Sequence, residues 1–163
     1  MSSSLVDGGE WDAALAYGGA FLALKVAAKV AYANQSATRT FPGEIVSGSL
    51  SGLHRSGLNL TLGGGRADDD DSTRDAIDFW YAKLGHISSI FTVGASHFSL
   101  DLGEYNDAAA SGDEARTYGV QFVQKISPRS AEFYAGYRNY SLDGTGASFD
   151  DINGVPTGVR VKF

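Results

Sequence analysis

Apolar and polar residues alternate along most of this chain with the period of two that is typical of β-strands. Between residues 155 and 163 the odd positions carry mainly apolar side chains, whereas Arg160 and Lys162 fall on the other face. Three leucines between residues 58 and 62 alternate with Asn59 and Thr61 in the same way. These segments predict strands with one apolar face and one polar face.

Short turns and long polar connections alternate between the predicted strands, as they do in antiparallel transmembrane barrels. About eight to nine strands are expected. The predicted strands are 11–17, 22–34, 44–53, a strand beginning at 58, 78–84, 90–102, 118–126, 131–142 and 155–163; the short turns are 18–19, 54–57, 85–86 and 127–130; the long connections are 34–43, 64–76, 103–116 and 143–154.

The segment 10–34 allows two interpretations. It is rich in alanine, and Lys25 and Lys29 are four residues apart, which would place them on one face of a helix. Against a helix, six apolar positions between residues 22 and 32 keep strict alternation, and two adjacent glycines at 18–19 suit a tight turn. Two strands are therefore preferred.

An all-β antiparallel transmembrane barrel is the fold class that this pattern favours, with residues 10–163 as one unit. Residues 1–9 are expected to be a flexible N-terminal segment or residues added for expression, since they contain no basic and apolar leader. No run of about 18 apolar residues is present, so only a closed barrel could cross a bilayer. A soluble β-sandwich remains open, because alternation does not say what the apolar face meets.

Composition removes several classes of function. The chain has no cysteine, and its net charge of -6 argues against a nucleic-acid partner. Ser96 and His97 are adjacent and so point to opposite faces of a strand, and no Gly-x-Ser-x-Gly motif is present. The three histidines lack the spacing of metal ligands, and Gly63–Arg66 lacks the Lys of a phosphate loop and is expected to begin a flexible loop. No enzyme and no cofactor are predicted.

Three segments together resemble a known family. They are FWYAKLG at 79–85, VGASHFSLD at 93–101 and GVRVKF at 158–163. From about residue 10 onward the chain is similar to the C-terminal half of a Gram-negative outer-membrane general diffusion porin, a barrel of about 16 strands. The resemblance implies passive diffusion and ion transport, a trimer, contact with outer-membrane lipid and lipopolysaccharide, and an assembly signal at Val159, Val161 and Phe163 recognised by the barrel assembly machinery.

Strand number separates two possible functions. Nine strands are about half of such a barrel, and nothing here matches the family's constriction loop. Single-chain bacterial barrels have an even strand count, so further strands are expected before Trp11, or the first strand lies outside the barrel. The alternative is a small closed outer-membrane barrel with a filled interior and a structural or surface-interaction role.

The polar positions of the predicted strands define a candidate pore lining in which basic residues outnumber acidic ones. Two interpretations stay open: a basic wall with mild anion preference, or charges that pair within the wall. The candidates are Asp12, Lys25, Lys29, Asn59, Thr61, Lys83, Asp101, Gln121, Lys125, Glu132, Tyr134, Arg138, Arg160 and Lys162.

Two further surface features are predicted. Aromatic residues near strand ends suit the boundary between headgroups and hydrocarbon. The candidates are Phe79, Trp80, Tyr81, Tyr118, Tyr134, Tyr137 and Phe163. The expected aromatic girdle consists of Trp80, Tyr118, Tyr137 and Phe163. The acidic run Asp68, Asp69, Asp70 and Asp71 is a weak candidate for divalent cations bridging to lipopolysaccharide, although it lacks the Gly and Glu of an EF-hand. A solvated acidic loop is the favoured interpretation.

Overall fold

A computed structural model describes residues 10–34, 43–68, 75–107, 110–127, 130–144 and 146–162. Within these ranges the chain is all-β and contains no helix. No helix that is long and apolar enough to cross a membrane occurs in the described ranges. The strands are β1 Trp11–Phe21, β2 Leu24–Asn34, β3 Glu44–His54, β4 Leu58–Asp68, β5 Ile77–Phe91, β6 Gly94–Asn106, β7 Glu114–Ile126, β8 Ala131–Gly144, β9 Ala147–Ser148, β10 Ile152–Gly154 and β11 Thr157–Val161.

All strands belong to one antiparallel sheet in which β1 to β8 follow one another in chain order. The short segments β9, β10 and β11 all pair with β8 and so share the ninth position of the ladder. The sheet is not closed: among the described residues, neither β1 nor the shared ninth position has a partner on its outer side. The predicted all-β antiparallel fold is therefore confirmed, whereas a closed barrel is not shown.

The segment 10–34 forms two paired strands, which confirms the strand interpretation over the helix. The predicted turn at 18–19 is wrong, because β1 continues to Phe21 and the chain turns at 22–23. Gly19 serves the strand instead: a Cβ there would lie 2.6 Å from the hydroxyl oxygen of Tyr17. The glycine thus makes room for a neighbouring tyrosine on the same face.

The predicted turn at 85–86 is wrong for the same reason. The strand β5 runs through Gly85 to Phe91, and the chain turns at 92–93. A Cβ at Gly85 would lie 2.5 Å from Oδ1 of Asn59 on the adjacent strand, so the glycine permits a close side chain. The predicted turn after His54 is confirmed at 55–57.

Three of the four long connections, 64–76, 103–116 and 143–154, are shorter than predicted because strands extend into them. Gly63 to Arg66 do not begin a flexible loop but lie inside β4. A Cβ at Gly65 would lie 2.4 Å from the carbonyl oxygen of Val46, so this glycine allows close approach between strands. The strand β6 likewise reaches Asn106, and the connection 143–154 contains β9 and β10.

Burial is inverted relative to a soluble protein. Ala67 is the one buried hydrophobic residue in the described part of the chain, whereas Ser96, Asp101, Gln124, Glu132 and Asn139 are buried polar residues. Large apolar side chains along the strands are exposed, for example those of β4, β5 and β6. A soluble domain usually buries such residues in a core, whereas the described part of this sheet leaves them exposed on one face.

Candidate functional site: the polar concave face

Cross-strand register gives the sheet one apolar and one polar face. On the apolar face, Leu84 of β5 lies opposite both Leu60 and Leu100, and Leu100 lies opposite Val120. The neighbouring row of residues, shifted by one position along each strand, lies on the polar face. It begins with Thr61 opposite Lys83 and continues through Asp101 and Gly119 to Arg138. The alternation predicted from the sequence therefore produces two continuous surfaces.

The polar face is concave. Side chains from β2 to β8 and from β11 line one cavity of about 660 Å³, although these strands are spread across the whole sheet. The sheet must therefore curl so that its polar face lines this partly open space. The predicted pore-lining residues that line the cavity are Lys25, Asn59, Thr61, Lys83, Gln121, Lys125, Glu132, Arg160 and Lys162.

An ion pair between Asp101 of β6 and Arg138 of β8 crosses the intervening strand β7. The side chain of Asp101 is fully buried, and that of Arg138 is 26% exposed. The residue between them is Gly119, where a Cβ would lie 3.1 Å from Oδ1 of Asp101 and 3.2 Å from Nε of Arg138. The small residue leaves space for the guanidinium group to reach across, so this pair ties three strands together.

A second ion pair joins Glu132 of β8 to Arg160 of β11. Lys125 lies opposite Glu132 on the other side, in β7. Lys162 lines the same part of the wall, and a smaller cavity of about 260 Å³ is lined by Lys125, Glu132 and Lys162 together. The end of the sheet near the short turns therefore carries more positive than negative charge.

The two arginines of the wall are paired, whereas the lysines are not. No ion pair of Lys25, Lys29, Lys83, Lys125 or Lys162 exists among the residues that the structure describes. The cavity collects positive charge although the chain as a whole carries -6. Charge pairing within this face therefore involves the arginines Arg138 and Arg160 and not these lysines.

The remaining predicted pore-lining residues share the polar face without lining the cavity. Lys29 lies four residues from Lys25 on the same strand face, and Asp12 lies on the same face of β1. The ring of Tyr134 lies over Gly158, where a Cβ would come within 2.5 Å of the tyrosine hydroxyl oxygen. Its position fills one side of the concave face.

Sequence analysis missed three polar residues that line the cavity: Ser51, His97 and Ser99. His97 and Ser99 alternate with Asp101 along β6, so the alternation that placed Asp101 on the polar face could have identified them. Nε2 of His97 is buried and, within the described ranges, has no hydrogen-bond partner. No group of three or more residues suited to hold a metal ion occurs in the part of the chain that the structure describes.

Aromatic residues divide between the two faces. Tyr118 and Tyr137 contact each other on the apolar face with ring centroids 6.0 Å apart, and Trp80 lies four residues from Leu84 on that face. Phe79 and Tyr81 alternate with Trp80 and so lie on the polar face, together with Tyr134. Phe163 lies outside the described residues.

The apolar face also carries charged side chains next to the long connections, and two of them, Glu104 and Arg116, lie in the same cross-strand row as Trp80. Arg66 pairs with Asp68 and Asp78 at 3.8 and 3.6 Å. Arg116 of β7 forms a second cluster with Glu104, Glu114 and Asp143, in which the two glutamates are half-buried. Asp69, Asp70 and Asp71 lie outside the described residues.

Val159 and Val161, two residues of the predicted assembly signal, lie in β11 opposite Phe133 and Ala131 of β8. Both valines are exposed. Val159 shares the apolar face with Phe133, so the last strand continues the apolar surface to the edge of the sheet.

Comparisons of the chain with protein-family models, with curated proteins and with solved structures found no match.

Proposed function

We propose that this chain forms part of the wall of an outer-membrane β-barrel pore through which small hydrophilic solutes and ions diffuse passively. The observation that carries the proposal is the inverted sheet, with an apolar convex face and a polar, charged concave face. Lipid is the partner that an extended apolar sheet face fits, and water is the partner of the other face. The site contains the features of a lined passage rather than those of a reaction centre.

The two ends of the apolar face support a membrane setting. The leucines of β4 and β5 lie towards the short turns, whereas the charged clusters around Arg66 and Arg116 lie towards the long connections. Aromatic residues lie in both regions, since Tyr137 shares a cross-strand row with Leu84 and Trp80 shares one with Arg116. An apolar region with aromatic residues and a charged border suits a bilayer and its headgroup boundary. Outer-membrane lipid, lipopolysaccharide and the barrel assembly machinery are the partners that this proposal implies.

The unpaired lysines support a preference for anions in this passage. Lys25, Lys83, Lys125 and Lys162 line the cavity without a carboxylate partner among the described residues, whereas Arg138 and Arg160 are neutralised. A polar passage with fixed positive charge raises the local concentration of anions. The lysines are therefore the residues that set the charge preference of the proposed pore.

The strand count favours a second candidate for the isolated chain. Eight of the nine ladder positions, closed into an antiparallel barrel without the first strand, would enclose an interior that side chains fill. The pair Asp101–Arg138 already spans part of that interior. The proposed pore therefore needs additional strands, from the rest of a porin barrel or from a homo-oligomer such as a trimer, whereas the chain alone would serve as a small structural or surface-interaction barrel.

Conductance in planar bilayers, measured on the reconstituted chain and on its cross-linked oligomers, tests the proposal. The chain has no cysteine, so Thr61→Cys and Leu60→Cys each create a single labelling site. A bulky water-soluble thiol reagent is expected to reduce the conductance of the Thr61→Cys assembly by half or more, because the label enters the passage. The matched Leu60→Cys variant should stay unchanged. No conductance in any assembled fraction, or equal block at both positions, would contradict a pore.

A further inference from the structure

The two edges of the sheet differ in how well they could accept another strand. The β1 edge is eleven residues long, has no proline and carries one charge, Asp12, at its start. The opposite edge is divided into three short segments, and Pro156 stands between the last two. Short segments and proline are the usual means of blocking an edge strand. The β1 edge is thus the continuous one.

The direction of β1 restricts what can pair with it. Because eight antiparallel steps separate β1 from the opposite edge, both edges run in the same direction. They cannot join each other in an antiparallel ladder, and copies in a homo-oligomer inserted in the same orientation could pair these edges only in parallel. An antiparallel partner must run from the short-turn end towards the long-connection end.

The side chains of β1 and β2 specify the chemistry of that partner. On the polar face, β1 carries only small residues after Asp12, and Lys29 and Lys25 of β2 lie directly opposite Ala16 and Ala20. Neither lysine has an ion-pair partner among the described residues. A strand added to β1 would lie about 10 Å from β2, so the lysines could extend over the two alanines towards carboxylates on it.

We infer that β1 is the docking edge for an antiparallel strand of another polypeptide that carries two acidic side chains four residues apart, opposite Ala16 and Ala20. On the alternate face that strand carries apolar residues, which continue the exposed surface of Leu15 and Tyr17. The small residues of β1 provide the space, and the two lysines provide the charge. This inference rests on the proposed barrel for its setting, but its test measures strand binding and not conductance, so the two can fail separately.

The test uses three eleven-residue peptides of alternating valine and threonine that differ at two threonine positions, where they carry Glu, Gln or Lys. Fluorescence anisotropy measures the dissociation constant of each peptide for the full chain in detergent micelles. The Glu peptide is expected to bind about tenfold more tightly than the Gln peptide, and the Lys peptide more weakly than both. Lys25→Gln with Lys29→Gln should abolish the advantage of Glu, whereas Arg55→Gln, which removes an exposed turn charge, should preserve it.

Salt provides a second measurement that does not depend on the folding of the variants. The advantage of the Glu peptide should shrink several-fold between low and high salt, because exposed ion pairs are screened. Equal affinities for all three peptides, no binding at all, or cross-linking that joins β1 of one copy to β1 of another would overturn the inference.

Discussion

Replacing Arg138 with methionine is expected to lower the free energy of unfolding by about 3 kcal/mol, because it leaves a buried carboxylate without its cation. The side chain of Asp101 is fully buried, and its ion pair with Arg138 reaches across Gly119. Lys83 lies directly opposite Asp101, which keeps the expected loss at the lower end of the range for a stranded buried charge. Denaturant titration in lipid vesicles measures the change.

Two control variants distinguish the effect of breaking the buried ion pair on the free energy of unfolding from the effect of losing any positive charge. Arg66→Met removes a cation whose partners Asp68 and Asp78 are more than half exposed, and it should cost less than about 1 kcal/mol. Adding Asp101→Asn to Arg138→Met should recover much of the lost stability, since the uncompensated charge is then gone. Equal losses for Arg138→Met and Arg66→Met would show that the crossing pair does not hold the strands together.

Replacing Val120 with arginine is expected to destabilise the membrane-embedded sheet by about 2–4 kcal/mol if the site lies near the bilayer midplane. Val120 is half exposed on the apolar face, in the row that contains Leu84 and Leu100. A guanidinium group there would have to enter hydrocarbon or move the strand towards the headgroups. Denaturant titration of the protein in vesicles gives the loss.

Gln121→Arg is the matched control, because it places the same side chain one residue further along β7. Gln121 lines the polar cavity, where water can solvate the new charge. We expect this variant to change the free energy of unfolding by less than about 1 kcal/mol. A loss at Gln121 as large as that at Val120 would mean that the two faces are not lipid and water.

Alternation was enough to predict the faces of this sheet but not the ends of its strands. Thr61, Lys83 and Gln121 could be placed on one surface from the sequence because a strand has a period of two. The turns at 18–19 and 85–86 could not be placed correctly, because glycine suits both a turn and a crowded strand. Gly85 belongs to the second case, and the side chain that requires it, Asn59, comes from a different strand.

Ion pairing between strands that are not neighbours was the other feature that could not be predicted from the sequence. The ion pair between Asp101 and Arg138 joins residues 37 positions apart that do not lie on neighbouring strands. Such a contact depends on Gly119 between them and on the curvature of the sheet, and neither follows from alternation. The excess of basic residues on the polar face could therefore be predicted from alternation, but which of these charges stay unpaired could be decided only from the structure.

Single-cysteine scanning along β7 in lipid vesicles tests most directly whether this is a membrane sheet with one lipid face and one water face. Cysteine replaces Val120, Gln121, Phe122 and Val123 one at a time in a chain that has no other cysteine. A membrane-impermeant thiol reagent should modify positions 121 and 123 quickly, whereas positions 120 and 122 should resist it and be quenched by brominated lipid when labelled with a fluorophore. Reaction rates and quenching without this two-residue period would contradict the account.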